Sequence, residues 1–124
     1  MDRWWQGKPM RLIQTNLREI DADVDLDEYF EELKQFSTNV LLFNTGGINA
    51  SYPTDLEFHY RNPYLKDDFL GRVITRAHNE GIKVIARFDF SRLNEEIALH
   101  KPEWLYNSTK GEIVNYNGQH SCNE

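Results

Sequence analysis

The sequence predicts an α/β fold with a parallel sheet, a βαβαβ unit. Three observations carry that reading: two helical stretches with a continuous apolar stripe, three short β-rich runs interleaved with them, and polar residues closing each run at its carboxyl end. The chain has 124 residues, enough for one unit with a real core, and is read as a single unit over residues 1–124.

The first strand is expected over residues 10–17, where Leu12, Ile13, Thr15 and Leu17 supply β-branched and apolar content just after Pro9. Asp25 is then a suitable helix N-cap, with Asp27 and Glu28 placed favourably against the helix dipole. Leu26, Tyr29, Phe30, Leu33 and Phe36 follow at helical spacing, and the helix should end near residues 35–37. Residues 39–44 form an apolar run suited to a strand buried on both faces, stopped by Thr45, Gly46 and Gly47.

Residues 48–66 make a long loop whose tyrosines and phenylalanine (Tyr52, Phe58, Tyr60, Tyr64) argue for order. A second helix begins at Asp67 and Asp68 with Phe69, Leu70, Val73, Ile74 and Ala77 on one face, and Gly81 terminates it in the left-handed conformation. The third strand spans residues 83–89. Beyond Ser91 the pattern weakens: residues 92–100 are expected to be helical, Pro102 ends that helix, and residues 107–111 form a turn between two short extended pieces.

Composition removes several function classes. Fourteen Lys and Arg against twenty Asp and Glu give a formal charge of -6 with no basic run, which argues against nucleic acid or an anionic membrane surface as partner. No segment approaches the roughly 20 apolar residues of a membrane span, and residues 1–9 lack the apolar stretch of a signal peptide, so a soluble, cytoplasmic chain is expected. One cysteine, Cys122, cannot build a disulfide framework.

The strands' period of two locates a candidate site. Leu12, Gln14 and Asn16 share a face in the first strand, Val40, Leu42 and Asn44 in the second, and Ile85, Arg87 and Asp89 in the third. Each begins apolar and ends polar. In the third strand the opposite face, Val84, Ala86, Phe88 and Phe90, is apolar throughout and suited to pack on helices. Buried polar groups are costly unless paired or hydrated, so three polar ends on one side point to a wet, ligand-accessible mouth, where parallel α/β folds bind their ligands. A purely structural role competes with this: Arg87 and Asp89 could form an ion pair fixing the sheet, and Gln14 and Asn16 could cap backbone groups. Trp104 could present a flat face to a sugar or belong to the core.

Other chemistries find little support. His59, His78, His100 and His120 are scattered, and His120-Ser121-Cys122 has no second ligand pair, so neither a metal nor another cofactor is expected. Gly46-Gly47 lacks a phosphate-loop context, and Ser51 and Ser91 lack a nucleophile-elbow motif.

Four stretches, taken in order, are specific in combination: Arg11-Leu12-Ile13-Gln14-Thr15-Asn16-Leu17-Arg18-Glu19, Phe43-Asn44-Thr45-Gly46-Gly47, Ala86-Arg87-Phe88-Asp89-Phe90-Ser91 and Pro102-Glu103-Trp104. With Tyr52-Pro53-Thr54-Asp55-Leu56 and His59-Tyr60-Arg61-Asn62-Pro63-Tyr64-Leu65, the chain resembles the N-terminal part of the hypothetical glycosyl hydrolase 6 group, glycoside hydrolases with TIM-barrel catalytic domains, from about residue 11 to 122.

The resemblance implies a partial (β/α)8 barrel, its first three strands and two to three helices, because eight units need about 250 residues. It therefore implies an N-terminal fragment of a glycoside hydrolase, inactive alone, with O-glycosyl hydrolysis of a carbohydrate belonging to the intact protein. An open sheet edge and an uncovered inner face would favour self-association. Glycosidases commonly use two carboxyl groups. In barrels of this kind these commonly follow the fourth and later strands, so Asp89 is a weak catalytic candidate and a better candidate for binding a substrate hydroxyl. Asn16, Asn44 and Arg87 would orient the sugar with it, and Tyr60, His100 and Trp104 would form pocket walls. Two alternatives stand beside this: a small non-catalytic α/β domain binding carbohydrate or protein through the aromatic loop, and another barrel chemistry such as deacetylation or isomerisation, which would need metal ligands.

Overall fold

Each strand is followed by a helix whose apolar stripe needs cover, and in the computed structural model, which describes residues 3–116 and 119–121, the strands pair in sequence order. Strand β1 (Leu12–Thr15) lies parallel to β2 (Val40–Gly46), with Leu12 opposite Val40 and Thr15 opposite Phe43. Strand β3 (Lys83–Phe88) lies parallel on the other side of β2, with Val40 opposite Lys83 and Asn44 opposite Arg87. This is the parallel βαβαβ unit of a partial barrel.

Helices α1 (Leu26–Gln35) and α2 (Phe69–Asn79) cover one face of the sheet. The Asp25 carboxylate accepts the N–H groups of Asp27 and Glu28, and Asp68 accepts that of Gly71, satisfying donors each first turn leaves open. Phe30 and Leu33 from α1, Leu41 and Phe43 from β2, Phe69, Val73 and Ala77 from α2, and Ile82 form one buried cluster. Each large side chain buried there contributes about 1.5–3 kcal/mol relative to exposure. Tyr29 adds a polar tie, its hydroxyl 2.8 Å from that of Thr15.

Several expectations are corrected. Strand β1 is shorter than residues 10–17, so Asn16 lies just beyond its end. Phe36, expected on the buried stripe, is 67% exposed, because α1 ends at Gln35 and the chain turns through Ser37 at φ 52°. Strand β2 does not stop at Thr45: it runs to Gly46 with a register shift between Asn44 and Gly46. Thr45 is the extra residue, buried, and its hydroxyl donates to the Arg87 carbonyl at 2.9 Å, which satisfies the bulge. Phe88 and Phe90 do not pack on the helices. They stack on each other, centroids 5.6 Å apart, beside Tyr52 and His59.

Residues 92–100 are not one helix. Strand β4 (Arg92–Leu93) comes first and helix α3 (Glu95–His100) follows, with Asn94 as its N-cap. Strands β5 (Asn115–Tyr116) and β6 (Gln119–Ser121) complete a second, antiparallel sheet ordered β4-β6-β5. Leu93, Ile97, Ala98 and Leu105 form its small core, with Tyr60 packed against them. The turn at residues 107–111 is formed as expected, closed by a bridge between Asn107 and Ile113. Cys122 lies outside the described residues, so the reading of His120-Ser121-Cys122 has no structural counterpart.

The long loop is ordered by its own bonds. Ala50 pairs with Arg61, the Ala50 N–H donates to Tyr60 and the Asn62 N–H donates to Ala50, so the loop closes on itself. The buried Asn62 side chain donates to the Glu19 carbonyl at 2.9 Å and accepts from the Tyr64 N–H, tying the loop to the 3-10 turn Glu19–Asp23 that follows β1.

Candidate functional site

A parallel sheet leaves its strand ends to diverge into loops, and at the carboxyl ends of β1, β2 and β3 the loops enclose a cavity of about 210 Å3. Asn44 and Gly46 from β2, Arg87 from β3, and Asp89 and Ser91 just beyond β3 line it, with Leu17, Arg18 and Glu19 after β1, residues 47–49 and Ser51 after β2, and Arg92 from β4. The residues come from all three strand ends.

The close approach of β2 and β3 depends on glycine. A Cβ on Gly47, whose φ is +148°, would lie 2.1 Å from the Asp89 carbonyl oxygen, and one on Gly46 would lie 2.9 Å from both His59 and Phe88. The Asp89 N–H donates to the Gly46 carbonyl at 3.1 Å, continuing the ladder past the end of β3. Gly46 and Gly47, read in the sequence as a strand stop, bring the Asp89 backbone against the end of β2.

Asp89 is the most densely bonded carboxylate of the site. Its Oδ1 accepts the Ser91 hydroxyl at 2.6 Å and the Ser91 N–H at 3.2 Å, and its Oδ2 accepts from the Arg87 guanidinium at 3.1 Å. The Ser91 hydroxyl first, then its N–H, with the charges of Arg87 and Arg92, hold this carboxyl below the usual aspartate range, against the opposing effect of burial. The ion pair expected from a purely structural role is present, but it stands at the cavity wall with its side chains 37% and 48% exposed.

Glu19, which the period of the strands could not reveal, joins the site from the 3-10 turn. Its carboxylate accepts from the Asn49 side chain at 2.9 Å, and Asn49 accepts in turn from the Asn94 side chain at 3.2 Å, so one polar chain links the segments after β1 and β2 to the start of α3. Arg18 forks onto Asp21 with bonds of 3.1 and 3.0 Å. The position of Glu19, just past a strand's carboxyl end, was the available signal.

The structure thus brings Asn44, Arg87 and Asp89 together. Asn16 is exposed and accepts from the Gln14 side chain at 3.0 Å, outside the cavity lining. Tyr60, His100 and Trp104 are also outside it: Tyr60 packs on the second core, His100 is exposed at the end of α3, and Trp104 stands edge-to-face with Phe58, centroids 6.0 Å apart, under the Lys101 ammonium. Of the histidines, His59 is 5% exposed and meets the Tyr52 hydroxyl at 3.1 Å, while burial lowers its pKa. Among the described residues no three His, Cys, Asp or Glu side chains gather as a metal ion would require, and no helix is long and apolar enough to cross a membrane.

Comparison with known proteins agrees with this architecture. No curated protein matches the chain. Among solved structures it is similar to alpha-L-fucosidase isoenzyme 2 from Paenibacillus thiaminolyticus, with a TM-score of 0.71 and 21% identity over 93% of this chain. At that identity the likeness is one of fold, and it extends over 19% of the fucosidase chain. The model of the family described as hypothetical glycosyl hydrolase 6 matches residues 25–124. That match takes in both helices of the parallel unit and the Asn44, Arg87 and Asp89 wall, and the chain belongs to the hypothetical glycosyl hydrolase 6 family.

Proposed function

We propose that this chain forms part of the carbohydrate-binding rim of a glycoside hydrolase barrel, and that hydrolysis of the O-glycosyl bond belongs to a longer protein containing it. The observation that supports this most is the convergence of Asn44, Arg87 and Asp89 on one cavity at the carboxyl ends of parallel strands, in a chain of a glycosyl hydrolase family. A glycosidase needs a proton donor at the leaving oxygen. Asp89, held ionised by Ser91 and Arg87, is a poor proton donor and a good acceptor, so its role is to bind and orient a sugar hydroxyl. The acid and its partner carboxylate come from strands beyond these three.

The open face of the sheet supports the same division. Leu12 and Ile85 are 40% and 37% exposed, although they are the apolar beginnings of strands whose ends line the cavity. Further strands of a barrel would cover them, and in their absence two copies would associate through this face. The test is turnover of a glycoside panel, led by α-L-fucosides because of the fold neighbour, by the longer protein and by this chain. Turnover by the longer protein alone is expected, and turnover by this chain would refute the division of roles.

A second reading, a non-catalytic domain binding through the aromatic loop, draws on the exposed Phe58 and Trp104 pair, which lies outside the cavity lining. Loss of sugar binding on Trp104→Ala, with Asp89→Asn without effect, would favour it.

A further inference from the structure

We infer that the cavity selects a neutral sugar over an acidic one, with Glu19 and Asn44 as the specificity-determining residues; the inference rests on the carbohydrate reading proposed above.

Three guanidinium groups, Arg18, Arg87 and Arg92, line the cavity, a number that would suggest an anionic ligand. Two of these charges are already answered by ion pairs. Arg18 is forked onto Asp21, Arg87 is paired with Asp89, and the charge of Arg92 acts on Asp89 as well. Counted with Asp21, the three cations face three carboxylates: Asp21, Asp89 and Glu19. An incoming carboxylate or sulfate at Arg18 or Arg87 would have to displace an ion pair, and at Arg92 it would meet the Asp89 carboxylate on which that charge already acts.

Glu19 sharpens the discrimination. Its one hydrogen bond is accepted from a neutral amide, that of Asn49, and no lysine or arginine pairs with it among the described residues. It stands on the wall as an acceptor with capacity to spare, suited to a hydroxyl donor and repelling a second anion. Asp89, by contrast, already accepts three hydrogen bonds.

Asn44 adds the second demand. Its Oδ1 is shielded from solvent and meets no donor, an arrangement that native interiors avoid. That oxygen has no bond to lose and the last torsion of an asparagine is broad, so the amide can turn Oδ1 toward a hydroxyl in the cavity, the new hydrogen bond being set against burial of the amide nitrogen. Arg87, its neighbour across the β2 and β3 register, retains N–H groups for the adjacent sugar oxygen. Both features ask for hydroxyl groups, and neither asks for a charge.

The test is calorimetric titration of this chain, and of the longer protein proposed to contain it, at low ionic strength with the methyl glycosides of L-fucose, D-galactose and D-glucose, and with galacturonate and glucuronate. At least one neutral glycoside is expected to bind about tenfold or more tightly than either uronate, and Asn44→Leu to weaken that neutral ligand about tenfold or more. Glu19→Gln, an exposed change that leaves the core untouched, should narrow the gap by improving uronate binding. Equal or tighter binding of a uronate, an unchanged gap in Glu19→Gln, or unaltered affinity in a folded Asn44→Leu would each overturn the inference while leaving a carbohydrate site in place. Binding of neither class, by this chain or by the longer protein proposed to contain it, would instead overturn the carbohydrate reading, and this inference with it.

Discussion

The two faces of the parallel sheet are built from the same strands and have opposite fates. On the helix side Leu41 and Phe43 are completely buried against Phe30, Phe69 and Val73. On the other side Leu12 and Ile85 stand exposed, although Val40 beside Leu12 is buried, and the strands run out into Asn44 and Arg87 at the cavity. The difference teaches that stability and recognition are divided between the faces. The covered face can lose no atom without cost, whereas change on the open face should be tolerated by the fold and felt in the proposed binding and association.

The sharpest way to break this contrast is to exchange truncations between the faces. Phe43→Ala should cost about 3–5 kcal/mol by cavity formation, enough to abolish a cooperative melt in a small unit. Ile85→Ser, on the open face, should change stability by within about 0.5 kcal/mol and reduce association seen by light scattering. Similar losses for the two would show that the open face is itself core.

Next in size is the joint between the faces. Gly47→Ala drives a methyl group into the Asp89 carbonyl and should cost about 2 kcal/mol or more, with shifts of the Asp89 and Ser91 amide resonances. Gly81→Ala, at φ +74° with nothing within 4 Å, should cost only the backbone term, about 1–2 kcal/mol, and leave those resonances in place. Asp25→Ala, which removes a cap from the helix side, should cost about 1 kcal/mol with no effect on ligand binding.

The smallest effect is electrostatic. Asp89 titrates lower in the folded chain than in the unfolded one, where about 3.9 is expected. Its contribution to stability is therefore present above that pH and is lost as pH falls through the folded midpoint. A carboxyl-carbon NMR titration should show the depressed midpoint, and Ser91→Ala should move it upward by removing the hydroxyl donor. A midpoint that Ser91→Ala leaves in place would contradict the bonding described.

The parallel unit was legible because its signals are local. The stripe from Leu26 to Leu33, the cap Asp25 and the terminator Gly81 each act within one or two turns. Asn44, Arg87 and Asp89 could be grouped from the period of two and the direction of parallel strands alone. What escaped depends on contacts between distant segments. The bulge at Thr45 is satisfied by a carbonyl 42 residues away, Glu19 reaches the cavity through a 3-10 turn too short to show a period, and Arg92 and Leu93 are strand because β6 pairs with them. The aromatic character of Tyr60 and Trp104 suggests pocket walls, whereas the loop carries Tyr60 to the second core and the turn after α3 sets Trp104 beside Phe58.

The central claim is that a sugar occupies the cavity between Asn44, Arg87 and Asp89. A crystal structure of the longer protein proposed above, with a bound, non-hydrolysable glycoside, tests it most directly. The account predicts a sugar ring within hydrogen-bonding distance of Asp89 and of Asn44 or Arg87; a ring bound elsewhere with these three side chains out of reach would contradict it.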